Sequence, residues 1–245
     1  MSAIVRDAVI LAAGNGDRFK NGDHHSKLLH PVGGQPLILR TIHTAAAAGV
    51  RSFCIVLGYE ADRVRAAVER DLVPGTTVRF VYNPQWHLEN GVSALSARQH
   101  CGDRRFALLM GDHLFQPAVL ARMLALHLEP EVSVLAVDLL TADPVVAAEA
   151  TRVRMTDGRI TAIGKDVDPW DALDTGLFVF SPALFDALEE AQAAGETTLS
   201  AGVQRLAARG LMRGADVGEA TWCDVDTIED LDAAESLLGV EPEHA

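Results

Sequence analysis

The sequence predicts an α/β fold: a single-domain, three-layer α/β/α arrangement around a mixed, mostly parallel, Rossmann-like sheet. Three observations carry this. Strand and helix patterns alternate through the first half of the 245 residues, the rhythm of a parallel sheet with crossover helices. The run Phe106–Met110 is nearly all apolar, as a strand covered on both faces must be. The first apolar run feeds straight into a glycine loop, Gly14-Asn15-Gly16, at the end of a strand where open α/β sheets carry their crevices.

Ala8–Ala13 reads as the central strand. Leu37–Ala48 reads as a helix, with Pro36 near its first turn, Ile38, Ile42 and Ala45 on one face and Gly49 at its end. Phe53–Leu57 is a strand, Asp62–Arg70 a helix with Val64 and Val68 four apart, and Val78–Tyr82 a strand. Ser93–His100 is expected as a helix, with Asn90 and Ser93 as cap candidates. After Phe106–Met110 come a helix at Pro117–Leu128 and a strand at Val132–Val137. The second half breaks the rhythm. Thr151–Thr156 and Arg159–Ile163 flank Asp157-Gly158, a strong hairpin signal. Asp174–Phe180 is a strand, Pro182–Ala194 and Leu199–Ala208 are helices, Leu211–Val217 a late edge strand and Thr227–Leu238 a closing helix. No linker, repeat or low-complexity segment interrupts the chain, which reads as one domain.

Composition bounds the function. About half the residues are apolar (49%) and the formal net charge is −13. That balance supports a full core and argues against binding a polyanion nonspecifically, so no nucleic-acid partner is expected. A single nucleotide needs only local positive charge. Cys54, Cys101 and Cys223 are scattered and lack Cys-x-x-Cys spacing, which fits reduced thiols in a cytoplasmic protein. No apolar run approaches a membrane span, so no membrane insertion is expected.

The glycine loop sits in a longer constellation: Leu11-Ala12-Ala13-Gly14-Asn15-Gly16-Asp17-Arg18, then Ser26-Lys27, then Val32-Gly33-Gly34-Gln35-Pro36-Leu37-Ile38. Glycines let backbone N–H groups approach phosphate oxygens, and Arg18 and Lys27 supply charge for a triphosphate. The P-loop spacing is absent, and the place of the dinucleotide fingerprint's third small residue holds Phe19. A surface turn with solvated charges is the blander alternative for a short Gly-x-Gly. Downstream, Gly111-Asp112 ends a buried strand, where a carboxylate can hold Mg²⁺ against phosphate oxygens; an Asp capping the next helix is the alternative. Asn90, Gly91 and Ser93 can contact base and ribose, or simply cap a helix packed over Trp86. Lys165 can reach an acceptor's phosphate as a compact cation, and Asp174 can accept hydrogen bonds from hydroxyls. A solvated Lys and an Asp-Thr-Gly chosen for turn geometry are equally open on residue types alone. Asp224 and Asp226 share a face if they lie on a strand, and Thr227 with Asp230 suggests a loose capping box.

These segments resemble the sugar-phosphate and alcohol-phosphate nucleotidyltransferases, which open on Leu-Ala-Ala-Gly-x-Gly-x-Arg, then Pro-Lys or Ser-Lys, then Val-x-Gly-x-Pro-Leu-Ile. Met110-Gly111-Asp112-His113-Leu114-Phe115 and the pair Gly164-Lys165 with Asp174-Thr175-Gly176 look like the subgroup of CTP:inositol-1-phosphate cytidylyltransferases. The resemblance runs from Val9 to Glu235 and is weakest over Ala142–Ala150. It implies a GT-A-like nucleotidyltransferase fold with a nucleotide-binding half to about residue 138 and an acceptor-binding half over about 139–240. It implies that Leu11, Ala12, Ala13, Gly14, Asn15, Gly16, Lys27, Asn90, Gly91, Ser93, Gly111 and Asp112 bind the nucleotide. His113, Lys165, Asp174, Thr175 and Gly176 would bind the acceptor, and Asp112 and Asp226 would clamp Mg²⁺. Arg18, Lys27, Asp112, Asp226 and Lys165 would carry the transfer.

The expected substrates are CTP and a phosphorylated polyol such as inositol 1-phosphate. UTP or GTP, and a sugar 1-phosphate, cyclitol phosphate, phosphocholine or phosphonate, stay open as partners of the same chemistry. A related glycosyltransferase would carry Asp-x-Asp where Gly111-Asp112-His113 has one Asp. A non-catalytic nucleotide sensor is the alternative of another class; it would not need both metal carboxylates. Some family members are fused to a membrane CDP-alcohol phosphotransferase; with no span after Val240, such a partner is expected as a separate protein, and the chain as a monomer or homodimer.

Overall fold

The computed structural model describes residues 5–17, 19, 26–140 and 150–238. Its element order begins with β1 (Asp7–Ala12), a 3-10 turn (Lys27–Leu29), β2 (Pro31–Val32), β3 (Gln35–Pro36), α1 (Leu37–Ala47), β4 (Ser52–Leu57), α2 (Ala61–Arg70) and β5 (Thr77–Tyr82). It continues with α3 (Asn90–Ser96), α4 (Arg98–Cys101), β6 (Phe106–Met110), β7 (His113–Phe115), α5 (Pro117–Leu124) and β8 (Ser133–Asp138). Then follow β9 (Arg152–Thr156), β10 (Arg159–Gly164), β11 (Ala172–Phe180), α6 (Ala183–Ala193), α7 (Leu199–Ala208), β12 (Met212–Asp216), β13 (Trp222–Asp224) and α8 (Asp230–Leu238).

The main sheet has the order β5-β4-β1-β6-β11-β8-β12-β10-β9, with β9 also pairing β11. The neighbours from β5 to β6 are parallel, as are β8 and β12. β11 runs antiparallel to both β6 and β8. Its amino-terminal end therefore lies at the edge where β1, β6 and β8 have their carboxyl ends. That reversal brings Asp174, from late in the chain, to the mouth of the glycine loop.

The apolar strands are explained by two cores. Along β1, Ala8, Ile10 and Ala12 face one core, while Val9, Leu11 and Ala13 face the other. The first core is roofed by α1, α2 and α5, the second by α3, α6 and α7. A strand sandwiched this way has no solvent face, so both of its periods must be apolar. The three layers expected from the sequence are present. α1 ends as expected on Gly49, at φ +112. The Val50 N–H bonds the Ala45 carbonyl and the Gly49 N–H that of Ala46, a Schellman closure that needs the left-handed glycine. The hairpin forms at Asp157-Gly158, both at positive φ, the type I′ pattern.

Four expectations change. The expected edge strand at Leu211–Val217 is interior: β12 lies between β8 and β10. Its polar residues read as an edge because the β10 pairing is slight, with Arg159 opposite Arg213. The helix expected at Ser93–His100 starts at Asn90 and breaks at Ala97, where the Ser96 hydroxyl bonds the Val92 carbonyl, a back-bond that bends helices. Asn90 and Ser93 do not cap it. α5 stops at Leu124, four residues short of the expected Leu128, with Leu126 exposed. Of the expected capping box only the Asp230 half forms: its carboxylate accepts the Thr227 N–H, along with the Asp226 N–H, while the Thr227 hydroxyl donates to it instead of accepting from the helix. Among the described residues no helix is long and apolar enough to cross a membrane.

Candidate active site

The short strands that the sequence did not betray build the centre of the site. β7 and β13 form a two-stranded antiparallel ladder, with Trp222 opposite Phe115 and Asp224 opposite His113. The ladder is prolonged by the Val225 N–H, which bonds the Asp112 carbonyl at 3.1 Å. Asp112 follows β6 and Asp226 follows β13, so this pairing sets the two carboxylates side by side. Asp224, at the ladder's end, is exposed, and the strand stops before Asp226.

Between them lies Lys27. Its Nζ is 2.7 Å from Asp112 Oδ2 and 2.7 Å from Asp226 Oδ1, and the residue is 8% exposed. Burial opposes the charge on Lys27, but the two carboxylates outweigh it and raise its pKa above the ordinary range. Burial likewise opposes charge on Asp112; Lys27 first and His113 second hold its carboxyl below the ordinary range. The sequence reading assigns Lys27 to a triphosphate; in the structure its ammonium contacts the two acids.

Neighbouring groups fix this centre. The Thr41 hydroxyl on α1 lies 3.1 Å from the carbonyls of both Gly111 and His113. Thr41 went unnoticed in the sequence, although a Thr amid the buried stripe of Ile38, Ile42 and Ala45 is the signal that reveals it. Glu60 was also missed. Its carboxylate accepts the Ser26 N–H at 2.6 Å and pairs Arg63 at 2.7 Å, tying the segment before Lys27 to the start of α2. Gly16 covers the Lys27 stem: a Cβ there would lie 3.0 Å from Lys27 Cγ.

The glycine loop leaves β1 with Leu11, Ala12 and Ala13 buried and Gly14 exposed. Their side chains are committed to the two cores, so backbone is what this stretch can offer a ligand. The Leu11 carbonyl takes the Gly111 N–H and the Ala13 carbonyl takes that of Tyr59. Asn15 bonds Asp17. Arg18 lies outside the described residues. Across the crevice, Asn90 Oδ1 accepts the Leu199 N–H at 2.8 Å, capping α7 rather than its own helix. Ser93 accepts from Asn83 at 3.0 Å, and Gly91 packs on the backbone of 197–198.

On the other side, His113 Nδ1 lies 3.0 Å from the Thr175 carbonyl. A carbonyl only accepts, so Nδ1 carries a proton and Nε2 faces Asp112 at 3.8 Å. The Thr175 hydroxyl is anchored on the Ala136 carbonyl. Asp174 Oδ1 accepts the Gly176 N–H at 2.8 Å. Burial pushes its carboxyl up to about 6, against the opposing pull of that N–H and of His113. Lys165 is exposed and follows Gly164, which pairs with Arg152, itself paired with Leu173. The structure therefore gathers Lys27, Asp112, His113, Asp174, Thr175, Gly176 and Asp226 at one sheet edge. Lys165 sits on a neighbouring loop with its side chain free of the described residues.

Gly176 has φ +73, and a Cβ on it would come within 2.3 Å of two His113 ring atoms. Gly176→Ala is expected to cost about 1–2 kcal/mol from the left-handed backbone alone, and to drive the imidazole off the Thr175 carbonyl. Ring nitrogen NMR of His113 checks this; an unchanged Nδ1–H signal would contradict it. Asp174 holds its proton more firmly in the folded chain than in the unfolded one. Its contribution to stability therefore falls as pH rises from 3.8 through about 6. Asp174→Asn, which keeps the bond from Gly176, is expected to melt above wild type at neutral pH, with the difference vanishing towards pH 4. A difference independent of pH in paired melts would contradict that assignment.

Two carboxylates converging on one cation match the needs of Mg²⁺, which takes one or two protein carboxylates and completes its shell with water and substrate phosphates. Among the described residues no cluster of three or more His, Cys, Asp or Glu could hold a metal unaided. The donor set thus fits a metal shared with a phosphate ligand.

Residues 8–210 match the family described as the MobA-like NTP transferase domain. The chain belongs to that family. It is thereby a nucleotidyltransferase by class. It is 35% identical over 236 residues to the bifunctional IPC transferase and DIPP synthase of Rubrobacter xylanophilus, covering 94% of this chain and 51% of that one. The Aquifex aeolicus protein of the same description is 33% identical, with 96% and 52% covered. The chain thus spans about half the length of these curated relatives. The structure of the inositol-1-phosphate CTP transferase from T. maritima superposes with a TM-score of 0.86 over the full length of both chains, at 24% identity. That likeness establishes the GT-A-like α/β fold expected from the sequence.

Proposed function

We propose that this protein condenses CTP with inositol 1-phosphate, giving a CDP-linked polyol and pyrophosphate. The observation that carries the reading is the Asp112–Lys27–Asp226 cluster at the mouth of the glycine loop. A nucleotidyltransferase has little covalent work to do. It must hold a triphosphate and an acceptor phosphate in line and neutralise charge at the α-phosphorus. Lys27 and Arg18 grip the triphosphate. The backbone from Leu11 to Gly16, and the loop ending in Asn90, Gly91 and Ser93, hold the nucleoside. Asp112 and Asp226 would hold Mg²⁺, which would neutralise phosphate charge when bound.

The acceptor enters beside β11. Asp174 has one oxygen bonded to Gly176 and a second that takes no bond from the described residues. A buried carboxyl short of donors favours a ligand rich in hydroxyls. His113, Thr175 and Gly176 line the same place, and Lys165 steers the acceptor phosphate. An oxygen of that phosphate attacks the α-phosphorus, the bond to the β-phosphate breaks, and pyrophosphate departs with its electron pair. The attacking group is already an anion, so no base is needed. The names of the relatives, IPC transferase and inositol-1-phosphate CTP transferase, support this substrate pair. The two halves of the chain, to about residue 138 and beyond it, act as one cytoplasmic catalytic domain. A membrane CDP-alcohol phosphotransferase is the partner suited to consume the product.

Pyrophosphate release with Mg²⁺, crossing CTP, UTP, GTP and ATP against inositol 1-phosphate, phosphocholine, glucose 1-phosphate and an aminoalkylphosphonate, tests the choice. A signal confined to CTP with inositol 1-phosphate is expected. A stronger signal from another pair would keep the chemistry and overturn the substrates.

A further inference from the structure

We infer that Lys27 is a resident counter-ion that bars a divalent cation from the Asp112–Asp226 pair until a nucleoside triphosphate arrives, so that metal and nucleotide enter together. This rests on the reading of the pair as the metal site.

The geometry carries it. The Lys27 ammonium sits at hydrogen-bond distance from one oxygen of each acid, 2.7 Å in both cases. An ion joining the same two carboxylates would need oxygens at about 2.0–2.1 Å if it were Mg²⁺, and would claim the space the ammonium fills. The two cations cannot share that place, because like charges so close repel. Lys27 already cancels half of the charge with which the two acids would draw a strongly hydrated dication. Among the described residues no group of three or more His, Cys, Asp or Glu could hold the ion in its place.

A triphosphate changes the balance. It brings several negative charges to the glycine loop, and with them the oxygens that complete a metal's shell. It also gives the ammonium somewhere else to go. Lys27 is suited to that move, since its stem packs under Gly16 while its head is a compact point charge on rotatable bonds. A guanidinium's rigid fork could not exchange partners so simply. Lys27 then moves from the acids to the phosphates as the metal takes its place. The binding free energies of metal and nucleotide are coupled, each raising the affinity for the other equally.

The test is Mn²⁺ titration of the full chain, followed by the paramagnetic signal of the free ion. The nucleotide is a CTP analogue with a methylene group between the α and β phosphorus. Wild type is expected to bind Mn²⁺ at least about tenfold more tightly with the analogue than without it. Lys27→Met, which keeps the stem and removes the charge, is expected to bind Mn²⁺ at least about tenfold more tightly than wild type when no nucleotide is present. Adding Asp112→Asn and Asp226→Asn to it is expected to abolish the gain. Lys27→Gln serves if the Met variant does not show a wild-type melting transition. A nucleotide-free affinity unchanged by loss of Lys27, in a folded variant, overturns the inference while leaving the metal site standing, provided that wild type binds Mn²⁺ with the analogue. So does a wild-type Mn²⁺ affinity indifferent to the analogue. Absence of Mn²⁺ binding in every form, analogue included, overturns the metal site itself.

Discussion

Asp112→Asn is expected to lower turnover by about a thousandfold while the protein still folds. The side chain keeps its size and one acceptor oxygen, and the Asp112 carbonyl keeps its bond from Val225. What disappears is a full negative charge 2.7 Å from Lys27 Nζ. That charge is held ionised by Lys27 in spite of burial. An amide would be a poor ligand for a dication and would leave Lys27 paired only with Asp226. Asp226→Asn is expected to act in the same direction, because its carboxylate is the second contact of the same ammonium. Steady-state pyrophosphate release at saturating CTP, beside a thermal melt, is the check. Turnover within a few-fold of wild type in a folded variant would remove the acids from the chemistry.

Lys27→Ala is expected to cost at least about a hundredfold in kcat/KM for CTP. The loss has two sources. The triphosphate loses a cation, and Asp112 and Asp226 lose the ammonium they share. Lys27→Arg is not expected to rescue. The planar fork cannot take the point position between two carboxylates that an ammonium occupies. A loss of only a few-fold would make Lys27 a structural cation alone.

How far the chain could be read follows from where its information is local. β1, β4 and β6 are plain because a strand covered on both faces must be apolar along its covered length, and theirs are from Ala8, Phe53 and Phe106 onward. Gly49 and Asp157-Gly158 were plain because turn chemistry is written in adjacent residues. Lys27, Asp112 and Asp226 could each be singled out by type and place. Their mutual contact could not, since Lys27 and Asp226 are 199 residues apart and meet through β7 and β13, ladders three residues long. Strands that short carry no periodicity. The interior place of β12 was hidden for a related reason: its sequence, Met-Arg-Gly-Ala-Asp, lacks the apolar run of a central strand. Asn90 illustrates the limit of capping rules. Its side chain does cap a helix, but that helix is α7, more than a hundred residues further on.

The proposed reaction moves a cytidylyl group from CTP to an acceptor phosphate. The most direct measurement is phosphorus NMR of CTP and inositol 1-phosphate incubated with the protein and Mg²⁺. Paired doublets of a new CDP diester, growing in step with free pyrophosphate and at the expense of both substrates, are predicted. Pyrophosphate accompanied by CMP, with inositol 1-phosphate untouched, or bound CTP that never reacts with any acceptor phosphate, would contradict it.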